Sequence, residues 1–148
     1  MSMFDNIMAS GKDLEKYLPQ RWPMIMVSGL HALDENRIYT SLDIAPDNIF
    51  CNEGYFTEAG IIEHIAQSIG IRNGYLDIKY GRGVRSGVIG NISATRIISL
   101  PKAGSRLEPV TTVEGEYFGL VLVKAIVSCG DIVVAECKMK VALKEKEE

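Results

Sequence analysis

Cysteine is scarce in this chain and poorly arranged for chemistry: Cys51, Cys129 and Cys137 are odd in number and include no C-x-x-C pair. That spacing excludes a disulfide framework and a zinc knuckle, and the three read as small core or surface residues. Basic excess is also missing. With 16 Lys and Arg against 19 Asp and Glu the formal charge is −3, which speaks against a general nucleic-acid binder. No apolar run reaches the roughly 18 to 20 residues that cross a bilayer. The opening M-S-M-F-D-N-I-M-A-S has no charged stretch leading into an apolar one, so a cytoplasmic protein without a membrane span is expected. Repeats and low-complexity runs are absent as well. A length of 148 residues, 47% of them hydrophobic, predicts a single domain over 1–148 with one core. The stretch G-R-G-V-R at 81–85 is too short for a phosphate loop, and neither a cofactor nor a metal is expected.

What the chain does have is an apolar helix with a carboxylate at its middle. Phe56 to Tyr75 reads F-T-E-A-G-I-I-E-H-I-A-Q-S-I-G-I-R-N-G-Y, and a helix over 56–76 is predicted, with Thr57 as N-cap and Glu58 near its positive end. At about 100° per residue Ile61, Ile62, Ile65 and Ile69 fall on one side, while Glu63, Gln67 and Gly70 fall nearly opposite. One face is then expected in a core. The other carries a polar pair at i,i+4 beside Ala66 and Gly70, small enough to admit a backbone or a thin ligand. Glu63 is either held for structural reasons by backbone N–H groups or Gln67, or is tuned by burial to move a proton. Gln67 either orients Glu63 or bridges subunits. His64 lies about 100° round the helix from Glu63, so the two do not converge naturally within one chain.

The rest alternates between strands and turns. A lead-in helix is expected within 1–18, over Gly11 to Leu18 and ending at Pro19. Strands are expected at Met24 to Leu33 and Arg37 to Ile44, joined by a turn at Asp34-Glu35-Asn36, with a loop at Ala45 to Tyr55 leading into the helix. Four more follow at Val88 to Leu100, Leu107 to Tyr117, Gly119 to Cys129 and Ile132 to Leu143, before a solvated tail over 144–148. This order is most economically an α+β fold, an antiparallel sheet wrapped around one long central helix.

Three segments, in order, resemble the hotdog-fold dehydratases that act on 3-hydroxyacyl chains carried on acyl carrier protein. Leu18-Pro19-Gln20-Arg21-Trp22-Pro23 looks like their opening L-P-H-R-x-P run. Ile61 to Gly70 looks like their helix motif L-x-x-E-x-x-A-Q-x-x-G, the most specific of the three. Gly90 to Leu107 is similar to their strand G-x-x-x-A-R-F and following turn. The resemblance implies a hotdog fold paired as a homodimer or as a heterodimer with another hotdog dehydratase, with acyl tunnels between subunits. It also implies that Glu63 takes the catalytic carboxylate position, and that Gly70 and Gly90 lie beside the substrate. The family's second catalytic group, a histidine in a loop before the helix, has no counterpart in Asn52-Glu53-Gly54-Tyr55-Phe56-Thr57, and the opening histidine is Gln20. The remaining pattern is most similar to the dehydratase-like branch found with aryl polyene clusters.

Removing water from a 3-hydroxyacyl thioester needs a base at C2, an acid for the departing hydroxyl and donors for the thioester oxygen. The backbone N–H groups of Glu58, Ala59 and Gly60 at the helix start are candidate donors. His64, Cys51 and Glu53 are candidate surrogates for the missing histidine, each with an ordinary structural alternative, and His31 reads as a satisfied, half-buried strand residue. The cluster Arg72, Lys79, Arg82 and Arg85, opposed only by Asp77, is either a docking patch for the acidic carrier protein or a solvated loop. A dehydratase, a thioesterase working with one carboxylate and a non-catalytic partner subunit all remain open.

Overall fold

The computed structural model describes residues 2–34, 36–83 and 85–144. After short 3-10 turns at Met3–Asp5 and Gly11–Lys16 flanking β1 (Ala9–Ser10), the chain forms β2 (Gly29–Leu33) and β3 (Arg37–Asp43). A two-stranded hairpin, β4 (Cys51–Asn52) and β5 (Tyr55–Phe56), leads into α1 (Glu58–Lys79). Four long strands follow, β6 (Ser86–Ile97), β7 (Arg106–Tyr117), β8 (Leu120–Cys129) and β9 (Ile132–Lys144). The main sheet has the order β1-β2-β3-β7-β8-β9-β6, and every pairing in it is antiparallel.

The period-two pattern of the last strands explains the core. Val121, Val123, Ala125 and Val127 of β8 stand opposite Val141, Met139, Cys137 and Ala135 of β9, and all eight are buried. They close over Ile61, Ile65 and Ile69 of α1, each such side chain contributing about 1.5–3 kcal/mol of burial. A second cluster of Leu14, Tyr17, Leu18, Val27, Leu30, Ile38 and Ile71 fills the far side of the helix.

Several expectations change in detail. The lead-in helix is 3-10 and stops at Lys16, and Met24 to Val27 is not strand but an irregular segment held by side chains of α1. The helix runs on to Lys79. The polar residues of the helix are largely buried: Gln67 lies under the 24–26 segment, Arg72 against Glu116 and Asp77 under Arg82 and Arg85, while Glu63 and Gly70 stay partly exposed. Part of the 34–36 turn and the tail beyond Lys144 fall outside the described residues.

Close approach of the chain at Tyr17 depends on Gly74. A Cβ there would sit 2.7 Å from the Tyr17 carbonyl oxygen and 2.9 Å from its Cα, whereas one on Gly83 meets nothing within 4 Å. Gly74→Ala is expected to destabilise the fold by about 1–3 kcal/mol, and Gly83→Ala to change stability by under about 0.5 kcal/mol, both read by denaturant unfolding.

Candidate active site

Two side chains one turn apart on α1 pin the segment that follows the L-P-Q-R-W-P run. The Gln67 amide oxygen accepts from the Met26 N–H at 2.7 Å, and its nitrogen donates to the Met24 carbonyl at 2.9 Å. Its other proton goes to Glu63 Oε1 at 2.9 Å. Both donors of this amide and one acceptor site of its oxygen are therefore spent. His64 Nδ1 donates to the Met26 carbonyl, and its Nε2 accepts from Thr40 Oγ1 at 2.9 Å. Burial drives the His64 pKa down to about 4, against the opposing pull of the Met26 carbonyl. The ring is a neutral clasp between helix, β3 and the 24–26 segment.

Glu63 stands differently. It is half-buried, is held through one oxygen by Gln67, and its Oε2 has no hydrogen-bond partner among the described residues. It lines a cavity of about 380 Å³ with Tyr17, Leu18, Gln20, Gln67, Gly70 and Arg85, closed on one side by Gly87, Val88 and Ile89 of β6. This wall belongs to the outermost strand: among the described residues β6 pairs with β9 alone.

Of the residues singled out in the sequence, the structure brings Glu63, Ala66, Gln67, Gly70 and Arg85 to one cavity. His64 lies outside it, as do Glu58, Ala59, Gly60 and Gly90. Thr57 occupies the N-cap, but its hydroxyl donates to the Phe50 carbonyl at 2.7 Å and does not cap the helix. Glu58 and Ala59 are exposed in the first turn, and Gly60 is pressed against Phe56 and Phe50.

The basic cluster needs correction. Arg72 is only 4% exposed and is no surface residue; it pairs with Asn73 Oδ1 at 2.8 Å and Glu116 Oε2 at 3.2 Å. Arg82 and Arg85 clamp the buried Asp77 at 2.7 and 2.9 Å. Burial alone would raise the Asp77 pKa, but the bonds from Arg85 and Arg82 overrule it and hold the carboxyl below its usual range. Lys79 and Arg82 flank the exposed Tyr80 ring at 5.8 and 5.4 Å and are what the cluster presents outward.

Neither loop surrogate is prepared for proton transfer. Burial and then Asp47 push the Cys51 thiol up, and Glu53 is exposed at a turn with φ of 51°. His31 is bonded to the Asn6 carbonyl and Ser41 Oγ at 2.6 and 2.7 Å, on another part of the sheet. Gln20 and Arg85 are the cavity residues whose place sequence reasoning missed. The only signal for Gln20 was its standing where the resembled family has histidine.

A sheet closed round one helix, with a helix carboxylate facing a cavity at the sheet edge, defines a hotdog fold. The chain belongs to the ApeP-like family, described as ApeP dehydratase, whose model matches residues 12–146. It is 23% identical over 141 residues to the 3-hydroxyacyl-[acyl-carrier-protein] dehydratase FabZ of Caldanaerobacter subterraneus subsp. tengcongensis, covering 91% of this chain and 98% of that one. Among solved structures it is similar to a chain of the dehydratase heterocomplex ApeI:P from Xenorhabdus doucetiae, with TM-score 0.84, 19% identity and coverage of 90% and 91%. The smu.793 protein of Streptococcus mutans, solved bound to acetyl CoA, matches with TM-score 0.65, 13% identity and coverage of 88% and 98%. No helix of the described residues is long and apolar enough to cross a membrane.

The His64 clasp makes stability pH-dependent. Its folded pKa of about 4 lies below the ordinary 6.5, so the unfolded chain binds the extra proton between these values and stability falls as pH drops through that window. A loss of about 3 kcal/mol is expected from pH 7 to 4. Below the ordinary carboxyl range, release of the Asp77 clamp adds to it. His64→Gln is expected to flatten the upper part of this profile in pH-dependent thermal unfolding.

Proposed function

We propose that this chain is a dehydratase-like subunit that handles 3-hydroxyacyl and enoyl thioesters of acyl carrier protein in fatty acid or polyene assembly, with Glu63 as its acid–base group. The observation that carries this reading is the Glu63 carboxylate, held through one oxygen by Gln67 and open to a cavity through the other. With both histidines of this chain engaged elsewhere, Glu63 is the acid–base group this chain supplies, and both proton transfers are assigned to it. Glu63 takes the C2 proton, then returns it to the C3 hydroxyl as the C3–O bond breaks, giving water and the C2=C3 bond. Gln67, having no free proton, is a positioning residue and does not touch substrate.

The cavity wall formed by β6 gives the partner a role. A 12-residue edge strand with one unpaired side is a template for another sheet, and a chain paired along it would border the Glu63 cavity. That chain is a second copy or another hotdog dehydratase, as in the ApeI:P heterocomplex. Its helix start would bring uncapped N–H groups equivalent to those of Glu58 to Gly60 as donors for the thioester oxygen. Lys79 and Arg82 are the outward cations that suit an acidic carrier protein. The non-catalytic reading is favoured by one fact, the lack of a histidine in the cavity.

Mass spectrometry of carrier-bound 3-hydroxyacyl and enoyl thioesters separates these readings. Glu63→Gln is expected to lower water loss and addition by about 10²–10⁴-fold, and Gln67→Leu to lower kcat more than it raises KM. Release of free acid would transfer the activity to hydrolysis. Product formation unchanged by Glu63→Gln, alone or with a complete dehydratase, would leave a binding subunit. Ile92 of β6 is exposed, and Ile92→Lys is expected to shift the chain toward monomer in sedimentation velocity; an unaltered profile would move the pairing edge elsewhere.

A further inference from the structure

Gln20 carries a buried side-chain oxygen that has no hydrogen-bond partner, and it lines the same cavity as Glu63. Its backbone is fixed from both directions. Arg21 Nη1 donates to the carbonyls of Leu18 and Gln20 at 2.7 and 2.8 Å, and Arg21 Nε is paired with Glu15 at 2.8 Å. Further on, Gln67 holds Met24 and Met26. An orphaned amide oxygen in so anchored a segment is a cost that folding alone does not explain, since buried polar groups are almost always satisfied.

The neighbours do not satisfy it. Both amide protons of Gln67 are committed to Met24 and Glu63, and Arg85 directs Nε and Nη2 to Asp77 while its remaining N–H groups do not bond Gln20. Among the motif residues that line the cavity, Glu63 Oε2 and Gln20 Oε1 are acceptors with no partner among the described residues; the Gln20 oxygen is closed to solvent and reaches the cavity when its side chain turns, and a ligand O–H or N–H group would complement both.

Resting on the function proposed above, we infer that Gln20 is the residue that recognises the C3 hydroxyl of the acyl chain, accepting its proton. That bond leaves the hydroxyl oxygen's lone pairs turned away from Gln20 and available to the proton Glu63 returns. It also makes Gln20 a specificity determinant, because a ligand lacking the hydroxyl leaves the buried oxygen unpaired. The pantetheine arm offers amide N–H donors of the same chemistry, but those are shared by every thioester and would confer no preference between acyl groups.

The test compares 3-hydroxyhexanoyl-pantetheine with hexanoyl-pantetheine by calorimetric titration of the full chain, wild type and Gln20→Met, with thermal unfolding of both proteins alone. Wild type is expected to bind the hydroxy form about tenfold tighter, and Gln20→Met to bring the two within about twofold while the saturated ligand binds at least as well. Because the variant removes an unpaired polar atom and keeps the volume, its Tm is expected to equal or exceed that of wild type. A preserved preference in Gln20→Met, equal weakening of both ligands or a lowered Tm would each overturn the assignment to the hydroxyl while leaving the thioester reading intact. Failure of wild type to bind either thioester would instead overturn the proposed function and this inference with it.

Discussion

The amide of Gln67 is the constraint on which the rest of the site depends. A single side chain closes three hydrogen bonds, two to the backbone at Met24 and Met26 and one to Glu63. It thereby substitutes for the strand pairing that Met24 to Val27 lacks and fixes the carboxylate in the same act. His64, a turn of the helix away from Gly60 and facing β3, completes the clasp through Met26 and Thr40. Buried polar groups of this kind contribute to uniqueness only when every valence is met, and here they are met by backbone groups that irregular structure would otherwise leave exposed.

Charge inside the molecule does a related job at the other end of α1. Asp77 is fully buried and receives bonds from the backbone and side chain of Arg85 and from Arg82. Such an arrangement costs desolvation and is weak grounds for stability by itself. Its consequence is geometric: the chain leaving the helix is tied to the helix end immediately before β6 begins. Arg85, Gly87, Val88 and Ile89 are set by that tie, and all four line the Glu63 cavity. The cations that looked like a surface patch are largely the fasteners of the cavity wall.

These two ends meet in a cavity with little conventional catalytic equipment. Neither histidine reaches it, and the thiols are held protonated by burial. What lines it instead is one carboxylate, one orphaned amide and the Arg85 side chain beside the edge strand β6.

Periodicity and local spacing were enough to indicate the sheet-around-helix architecture, the four long strands after the helix and the Glu63–Gln67 pair, because these depend on which residues share a face of one element, whereas β1 and the β4–β5 hairpin were not legible. Thr57 at the helix start was legible as well. Tertiary structure alone decided that Gln67 and His64 are buried, since their cover includes the 24–26 segment, whose position rests on side-chain bonds from 38 to 43 residues away. It also decided that Arg72, Arg82 and Arg85 face Glu116 and Asp77, and that Gln20 enters the cavity without a partner. Composition shows which charges and amides a chain carries. Which of them find partners is a matter of distances across the fold, and no local pattern encodes those distances.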